Sequence, residues 1–213
     1  VGTRTRAVAH STLHRIGVLG QPARAELRDE LTREVEIDRG GGGESAHVAF
    51  DPDDPRLGDA TSINGMLTEY DRATERTRVI IPYPEMMYGK DSKDLRYRAN
   101  WNAPVALSPH DPSSIYFGTQ FVLKSTDRGA NWTAISPDLT REDPGVPETL
   151  AAYAGKAKGG RRGVIYALGP SPRDLGTIWA GTDDGLIQVT RDGGKTWTNV
   201  TPPEMTPWSK VTQ

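Results

Sequence analysis

Five carboxylates, Glu44, Asp91, Asp94, Asp183 and Asp184, stand in loop-like stretches where a pair could act as acid and nucleophile on a glycosidic bond. That chemistry needs two carboxyls held roughly 5 to 9 Å apart across a cleft. Nothing in their spacing selects a pair, and solvated loop carboxylates are the plainer reading. No G-x-S-x-G nucleophile turn accompanies them. His10 and His14 have the i, i+4 spacing of a helical chelate, but no Glu follows His10 and no third ligand is evident. Asp51, Asp53 and Asp54 are interleaved with prolines at 52 and 55, which makes them a turn rather than a cation loop. No metal and no cofactor is therefore expected. The densest set of binding-type groups is Asp94-Leu-Arg-Tyr-Arg-Ala-Asn-Trp-Asn102. Within it Arg96, Tyr97, Arg98, Asn100 and Trp101 combine aromatic faces with planar hydrogen-bonding groups, which suits sugars or peptides on a loop. Packing of Trp101 between sheets is the alternative.

What positions these groups is a repeat. Ser125 to Trp132, S-T-D-R-G-A-N-W, recurs as Thr190 to Trp197, T-R-D-G-G-K-T-W, with Asp127 and Asp192 in register 65 residues apart (192 − 127). Each copy reads as a hairpin corner. Asp127 and Asp192 can accept from backbone N–H groups just ahead, and Gly129 and Gly194 supply positive φ. Ser125 and Thr190 close one strand, and Trp132 and Trp197 open the next with a large face to bury. Upstream, S-P-H-D-P-S-S-I-Y-F-G-T (Ser108 to Thr119) aligns on S-P-R-D-L-G-T-I-W-A-G-T (Ser171 to Thr182). Asp183-Asp184-Gly185 then reads as a slightly longer hairpin loop. A third, degenerate copy begins at A-F-D-P-D-D-P (Ala49 to Pro55), and its corner at Tyr70 to Thr77 has neither the glycine nor the tryptophan.

Each unit reads as four short strands bounded by Pro, Asp, Ser and Gly. The middle unit predicts Ala103–Leu107, Ile115–Gly118, Val122–Ser125 and Trp132–Ile135. The last predicts Val164–Leu168, Thr177–Gly181, Leu186–Thr190 and Trp197–Val200. The first predicts Ala46–Phe50, a poor strand near Gly58–Ser62, then Gly65–Tyr70 and Thr77–Ile81. Four-stranded units repeating along a chain signify propeller blades, giving an all-β class with blades at about 44–85, 100–142 and 160–203. Residues 1–39 form an N-terminal extension with a short helix over Pro22 to Glu36, where Leu27, Leu31 and Val35 recur at i, i+4. Gly40–Gly43 is a flexible joint, and the basic Gly155 to Gly163 stretch a solvated loop. Three blades are fewer than the roughly four to eight that close a propeller. The expectation is a C-terminal fragment of a larger ring, completed by further blades or a second copy. A net charge of −2 gives no reason to expect nucleic acid, and no apolar run approaches a membrane span. The chain has no cysteine, which excludes disulfides and thiolate chemistry.

Both octapeptides resemble the Asp-box, or bacterial neuraminidase repeat, of sialidases, xyloglucanases and the sortilin N-terminal domain. The longer strings G-G-G-E-S, K-S-T-D-R-G-A-N-W-T-A-I-S-P and W-A-G-T-D-D-G-L-I-Q-V-T-R-D-G-G-K-T-W are similar to a branch of large exported bacterial propellers labelled sortilin-like or glycosyl hydrolase. The resemblance covers about residues 40–208. It implies that Ser125, Asp127, Gly129, Trp132, Thr190, Asp192, Gly194 and Trp197 are structural, and that the full-length protein is exported, although this chain shows no signal peptide. Neither the sialidase arginine triad with its Tyr–Glu pair nor the xyloglucanase aspartate pair can be placed here. A binding or scaffold domain for a peptide or glycan is the leading expectation. A glycoside hydrolase with catalytic residues partly outside this chain is one alternative, and a gene fragment without activity another.

Overall fold

The computed structural model describes residues 47–212, apart from 52, 53, 55, 63, 64, 86–88, 91–93, 154 and 156–158. The helix expected over Pro22 to Glu36, the joint at Gly40–Gly43, and His10, His14, Glu44, Asp53 and Asp91 lie outside the described residues.

Twelve strands are found among the described residues. β1 (Val48–Phe50), β2 (Leu57–Ser62), β3 (Met66–Asp71) and β4 (Arg76–Val79) form the first sheet. β5 (Val105–Ser108), β6 (Asp111–Gly118), β7 (Val122–Ser125) and β8 (Thr133–Ala134) form the second. β9 (Ile165–Pro170), β10 (Ile178–Thr182), β11 (Ile187–Thr190) and β12 (Thr198–Asn199) form the third. Each is an antiparallel meander in chain order, the construction of a propeller blade. The stretch around Gly58–Ser62, weak by composition, pairs with β3 along its whole length, because neighbours on both sides supply what its own propensity lacks.

Strand alternation sorts the core. In β6, Ile115 and Phe117 face the first sheet and pack with Leu67, Ile80, Val105 and Leu123. Tyr116 faces the other way and packs with Val122, Ile165, Leu168 and Ile178 of the second joint. Two apolar seams thus join three sheets face to face.

The octapeptide corners turn out to be clamps between sheets. Asp127 accepts from the Ser125 hydroxyl (2.8 Å), the Asn131 N–H (2.8 Å) and the Asn131 amide (2.7 Å). Asp192 repeats the set with Thr190 (2.8 Å), the Thr196 N–H (2.9 Å) and the Thr196 hydroxyl (2.6 Å). These bonds, led by those from Asn131 and Thr196, hold both carboxyls down at about 2. The tryptophans stand ahead of β8 and β12 rather than opening them, and those strands are two residues each instead of four. The reason is that each indole turns back to the preceding sheet. Trp132 Nε1 donates to the Ile80 carbonyl and Trp197 Nε1 to the Ile135 carbonyl, both at 2.9 Å.

The corner glycines press on the same two residues. A Cβ on Gly129 would lie 2.7 Å from the Ile80 Cβ, and one on Gly194 would lie 2.5 Å from the Ile135 oxygen. Gly193 also has positive φ, but a Cβ there would meet nothing within 4 Å. Gly193→Ala should therefore carry only the left-handed backbone penalty of about 1–2 kcal/mol. Gly194→Ala is expected to lose roughly 1–3 kcal/mol more, since backbone cannot yield as a side chain does. Denaturant unfolding of the two variants measures the difference; equal losses would show that the clamp contributes nothing.

The two seams differ in chemistry. Where the second sheet shows Tyr116 to its neighbour, the first sheet shows Asp59, paired across from Ala49 as Tyr116 is from Ala106. Asp59 is fully buried and neither carboxylate oxygen has a hydrogen-bond partner. Burial pushes it up to about 7, with Arg128 and Arg78 opposing and Glu69 and Asp51 reinforcing. Arg128, from the corner of the second sheet, crosses the seam to Glu69 (2.8 Å) and Asp51 (3.1 Å). In the third sheet the place of Arg128 is taken by Gly193, opposite Tyr116's sheet.

Candidate functional site

The stretch from Asp94 to Asn102 divides according to what each side chain touches. Arg98 is buried, with its Nε donating to the Gly163 carbonyl (3.2 Å) and its Nη2 to Asp138 (2.7 Å) and Thr140 (3.1 Å). Its own N–H donates to Gln120 (2.7 Å). All this ties the second sheet to the entry of the third, so Arg98 holds structure rather than ligand. Tyr97 packs edge-on against Phe121 at 6.2 Å between centroids and joins the first seam. Arg96 is exposed and lies over the Tyr83 ring at 4.6 Å, with its N–H donating to Glu85 (3.0 Å).

Asn100, Trp101 and Asn102 meet a different set. Asn102 donates to the Tyr166 hydroxyl (3.4 Å), while its Oδ1 is buried with no hydrogen-bond partner. Asn100 hydrogen-bonds the Asp183 carboxylate. Lys210 Nζ sits 4.4 Å above the Tyr166 ring and acts electrostatically on Asp183. Trp101 stands beside them with half its surface in solvent (49% exposed). It is not packed between sheets. The group gathers where the chain enters β5 and β9, at the hairpin joining β10 to β11.

The two adjacent aspartates of that hairpin have different lives, and neither is a solvated loop carboxylate. Asp184 is fully buried, accepting from the Thr182 hydroxyl (2.5 Å) and the Arg141 N–H (2.8 Å). Arg141 Nε also donates to the Asp184 carbonyl (2.7 Å). Asp184 is therefore a lock on the loop. Asp183 accepts from the Val164 N–H (2.8 Å), and burial pushes its carboxyl up to about 6 against that bond. Asp94 is exposed. Among the described residues no three His, Cys, Asp or Glu side chains are placed to hold a metal ion. Arg161 and Arg162, read as part of a free basic loop, donate to the Thr140 and Gly145 carbonyls.

Sequence reasoning missed Tyr166 and Lys210. Tyr166 follows from β9 alternation once the sheets are stacked. Lys210 carries no signal, because the segment after β12 has no repeat partner in the sequence.

No protein-family model matches the chain, and no curated protein matches it significantly. Among solved structures it resembles the GH74 xyloglucanase from Xanthomonas campestris at 20% identity, over 76% of this chain and 22% of that one, with a TM-score of 0.45. It resembles YCF48 bound to D1 peptide at 19% identity, over 71% of this chain and 38% of that one, with a TM-score of 0.42. A GH74 enzyme from Niastella koreensis matches at 18% identity, over 73% and 22%, with a TM-score of 0.44. The chain thus spans well under half the length of each. No helix among the described residues is long and apolar enough to cross a membrane. Three consecutive four-stranded meanders, stacked face to face through two apolar seams, make this chain part of a β-propeller.

Proposed function

We propose that this chain belongs to a sortilin-like Asp-box propeller, exported in full-length form, whose residues 40–213 bind a peptide or glycan and whose residues 1–39 are an extension. The observation that supports the reading is the exposed Trp101 between Asn100, which bonds Asp183, and Asn102, which bonds Tyr166 and has one oxygen still lacking a donor. An aromatic face bordered by amide and hydroxyl groups is the usual furniture of sugar and peptide recognition. A second reading, part of a glycoside hydrolase, is favoured by Asp183, whose carboxyl at about 6 could keep a proton to deliver.

The two readings separate on one pair of variants in the full-length protein. Under the binding reading, Trp101→Ala weakens a ligand found on glycan or peptide arrays by about 2 kcal/mol, the scale of an aromatic anchor, with folding unchanged. Asp183→Asn then has a small effect. Under the hydrolase reading, Asp183→Asn removes reducing-sugar release from a polysaccharide and leaves binding intact. Blank arrays together with blank reducing-sugar assays would defeat both.

A further inference from the structure

The strip from Arg96 to Asn102 runs along one end of two neighbouring sheets. Gln120, in the β6–β7 hairpin, accepts from the Arg98 N–H (2.7 Å) and donates its amide to the Arg96 carbonyl (2.9 Å). Asn100 reaches Asp183 in the β10–β11 hairpin, where Gly181-Thr182-Asp183 repeats Gly118-Thr119-Gln120. The segment after β12 returns to that same hairpin. There the Trp208 N–H donates to the Asp184 carbonyl (3.2 Å) and the Val211 N–H to the Thr182 carbonyl (3.1 Å). That return brings Lys210 to the far end of the strip, over the Tyr166 ring to which Asn102 is bonded.

Two cations at this end are built alike and lack a counterion. Arg96 is exposed, and its guanidinium lies 4.6 Å from the Tyr83 ring centroid and 5.5 Å from that of Tyr97. Glu85 beside it binds Lys90 Nζ through one oxygen (2.6 Å) and the Arg96 backbone N–H through the other (3.0 Å). The guanidinium N–H groups therefore have no acceptor among the described residues. Lys210 is exposed as well, and among the described residues no carboxylate pairs with its Nζ. Asp183 accepts instead from the Val164 N–H and Asn100. A ring beneath a cation fixes its position without neutralising its charge. By contrast Arg98, Arg141, Arg161 and Arg162 donate to carboxylates or carbonyls.

Arg96 sits by the first seam and Lys210 on the far side of the third sheet, so the two charges stand on the order of 10–20 Å apart. One sugar ring does not reach that far, but a short chain does. Between them along the strip is the exposed Trp101 indole, a platform for a sugar face. This end of the sheets carries hairpin loops and strand starts, so an extended peptide finds no free strand edge to join. We infer that the strip binds an acidic glycan chain, with one oxyanion on the Arg96 guanidinium, another on Lys210, and a sugar ring between them on Trp101. The inference rests on the binding reading above and narrows it to one ligand class. Carboxylate and sulfate both suit the planar guanidinium fork.

The test is calorimetric titration of the full-length protein with oligogalacturonates of graded length, a sulfated galactan, neutral xylo-oligosaccharides and oligo-glutamate. One or both acidic glycans should bind, more tightly with length and more weakly with salt, and the one that binds identifies the oxyanion. Arg96→Gln and Lys210→Gln should each weaken binding roughly tenfold at unchanged Tm, with Lys210→Arg close to the parent. Arg173→Gln, an exposed arginine in the β9–β10 turn at the opposite end, should leave it unchanged. An equal loss in Arg173→Gln overturns the inference by reducing the effect to diffuse charge. Oligo-glutamate that binds as tightly, with the same loss in both variants, overturns it in favour of a peptide. Neutral oligosaccharides that bind as well as acidic ones, and lose affinity only in Trp101→Ala, overturn it while leaving the Trp101 reading in place. If no glycan binds, the inference falls and peptide arrays alone decide the reading beneath it.

Discussion

Arg128→Met is expected to lower folding stability by about 3–5 kcal/mol, read as a fall in the urea midpoint at unchanged m. The guanidinium is the cation that crosses the first seam to Glu69 and Asp51, and it also opposes the burial of Asp59. Methionine fills similar volume, so the loss reports the cation taken from Asp51 and from Glu69, which keeps only Arg78 of its two arginines, and not a hole. Adding Asp59→Asn to Arg128→Met should recover little below pH 7, because Asp59 already carries its proton there and the carboxylates that lose Arg128 are Glu69 and Asp51. A neutral outcome for Arg128→Met would mean that the seam rests on its apolar side alone.

The same cluster gives a pH signature. The Asp59 carboxyl holds its proton to about 7 in the folded chain, against an ordinary value of 3.8. Between those values the native state binds the extra proton, so this group's support is complete below about pH 4 and is lost as pH rises through 7. Asp127 and Asp192 work in the opposite sense. Held down at about 2, they support the fold above their ordinary 3.8 and cease to do so as pH falls toward 2. Thermal unfolding across pH 4 to 7 should show a decline in the parent that is shallower in Asp59→Asn, the remainder belonging to Asp183, whose carboxyl is raised to about 6. A parallel decline in both would place the titrating group elsewhere.

Arg98→Met is expected to cost about 3–5 kcal/mol as well, by the same logic of a buried ion pair losing one member. Here Asp138 is left with Arg161 at 3.8 Å, and the Gly163 carbonyl and Thr140 hydroxyl lose the guanidinium that bonded them, while the backbone N–H to Gln120 stays. Trp101→Ala, three residues along, should change stability by less than about 0.5 kcal/mol, as exposed positions generally do. Calorimetry on the two variants makes the contrast. If Arg98→Met melted like the parent and only ligand binding fell, Arg98 would return to the binding surface.

That contrast marks how far the sequence could be read. The corners were legible because Asp127, Gly129 and Trp132 recur as a set, and a recurring set of turn residues has one local meaning. The blades followed, including the first, whose strand near Gly58–Ser62 is weak alone but paired throughout. What the octapeptide does not disclose is that its tryptophan and glycine act on the sheet before them, since Ile80 and Ile135 precede them by some fifty to sixty residues. The site was half legible for a similar reason. Arg96, Arg98 and Asn100 look alike in a linear stretch, and only contacts outside it, with Tyr83 and Glu85 for Arg96, Asp138 and Gly163 for Arg98 and Asp183 for Asn100, give them separate tasks. Asp184 resembled Asp183 until burial and Arg141 distinguished them.

The unlike seams bear on how a repetitive chain finds its order. Sheets built to one plan are open to being shuffled, each able to slot behind the wrong neighbour during folding. If the third sheet settled behind the first, Gly193 would come opposite Asp59, and that carboxyl would be sealed away without the Arg128 cation. If the second settled behind another copy of itself, Arg128 would be driven onto Tyr116, with no carboxylate to receive it. The pairing of acid with arginine at one seam and aromatic with glycine at the other therefore works as a lock and key for sequence order, penalising each misplacement by a buried charge. Stability is conceded at Asp59, and what the molecule obtains is a single permitted arrangement.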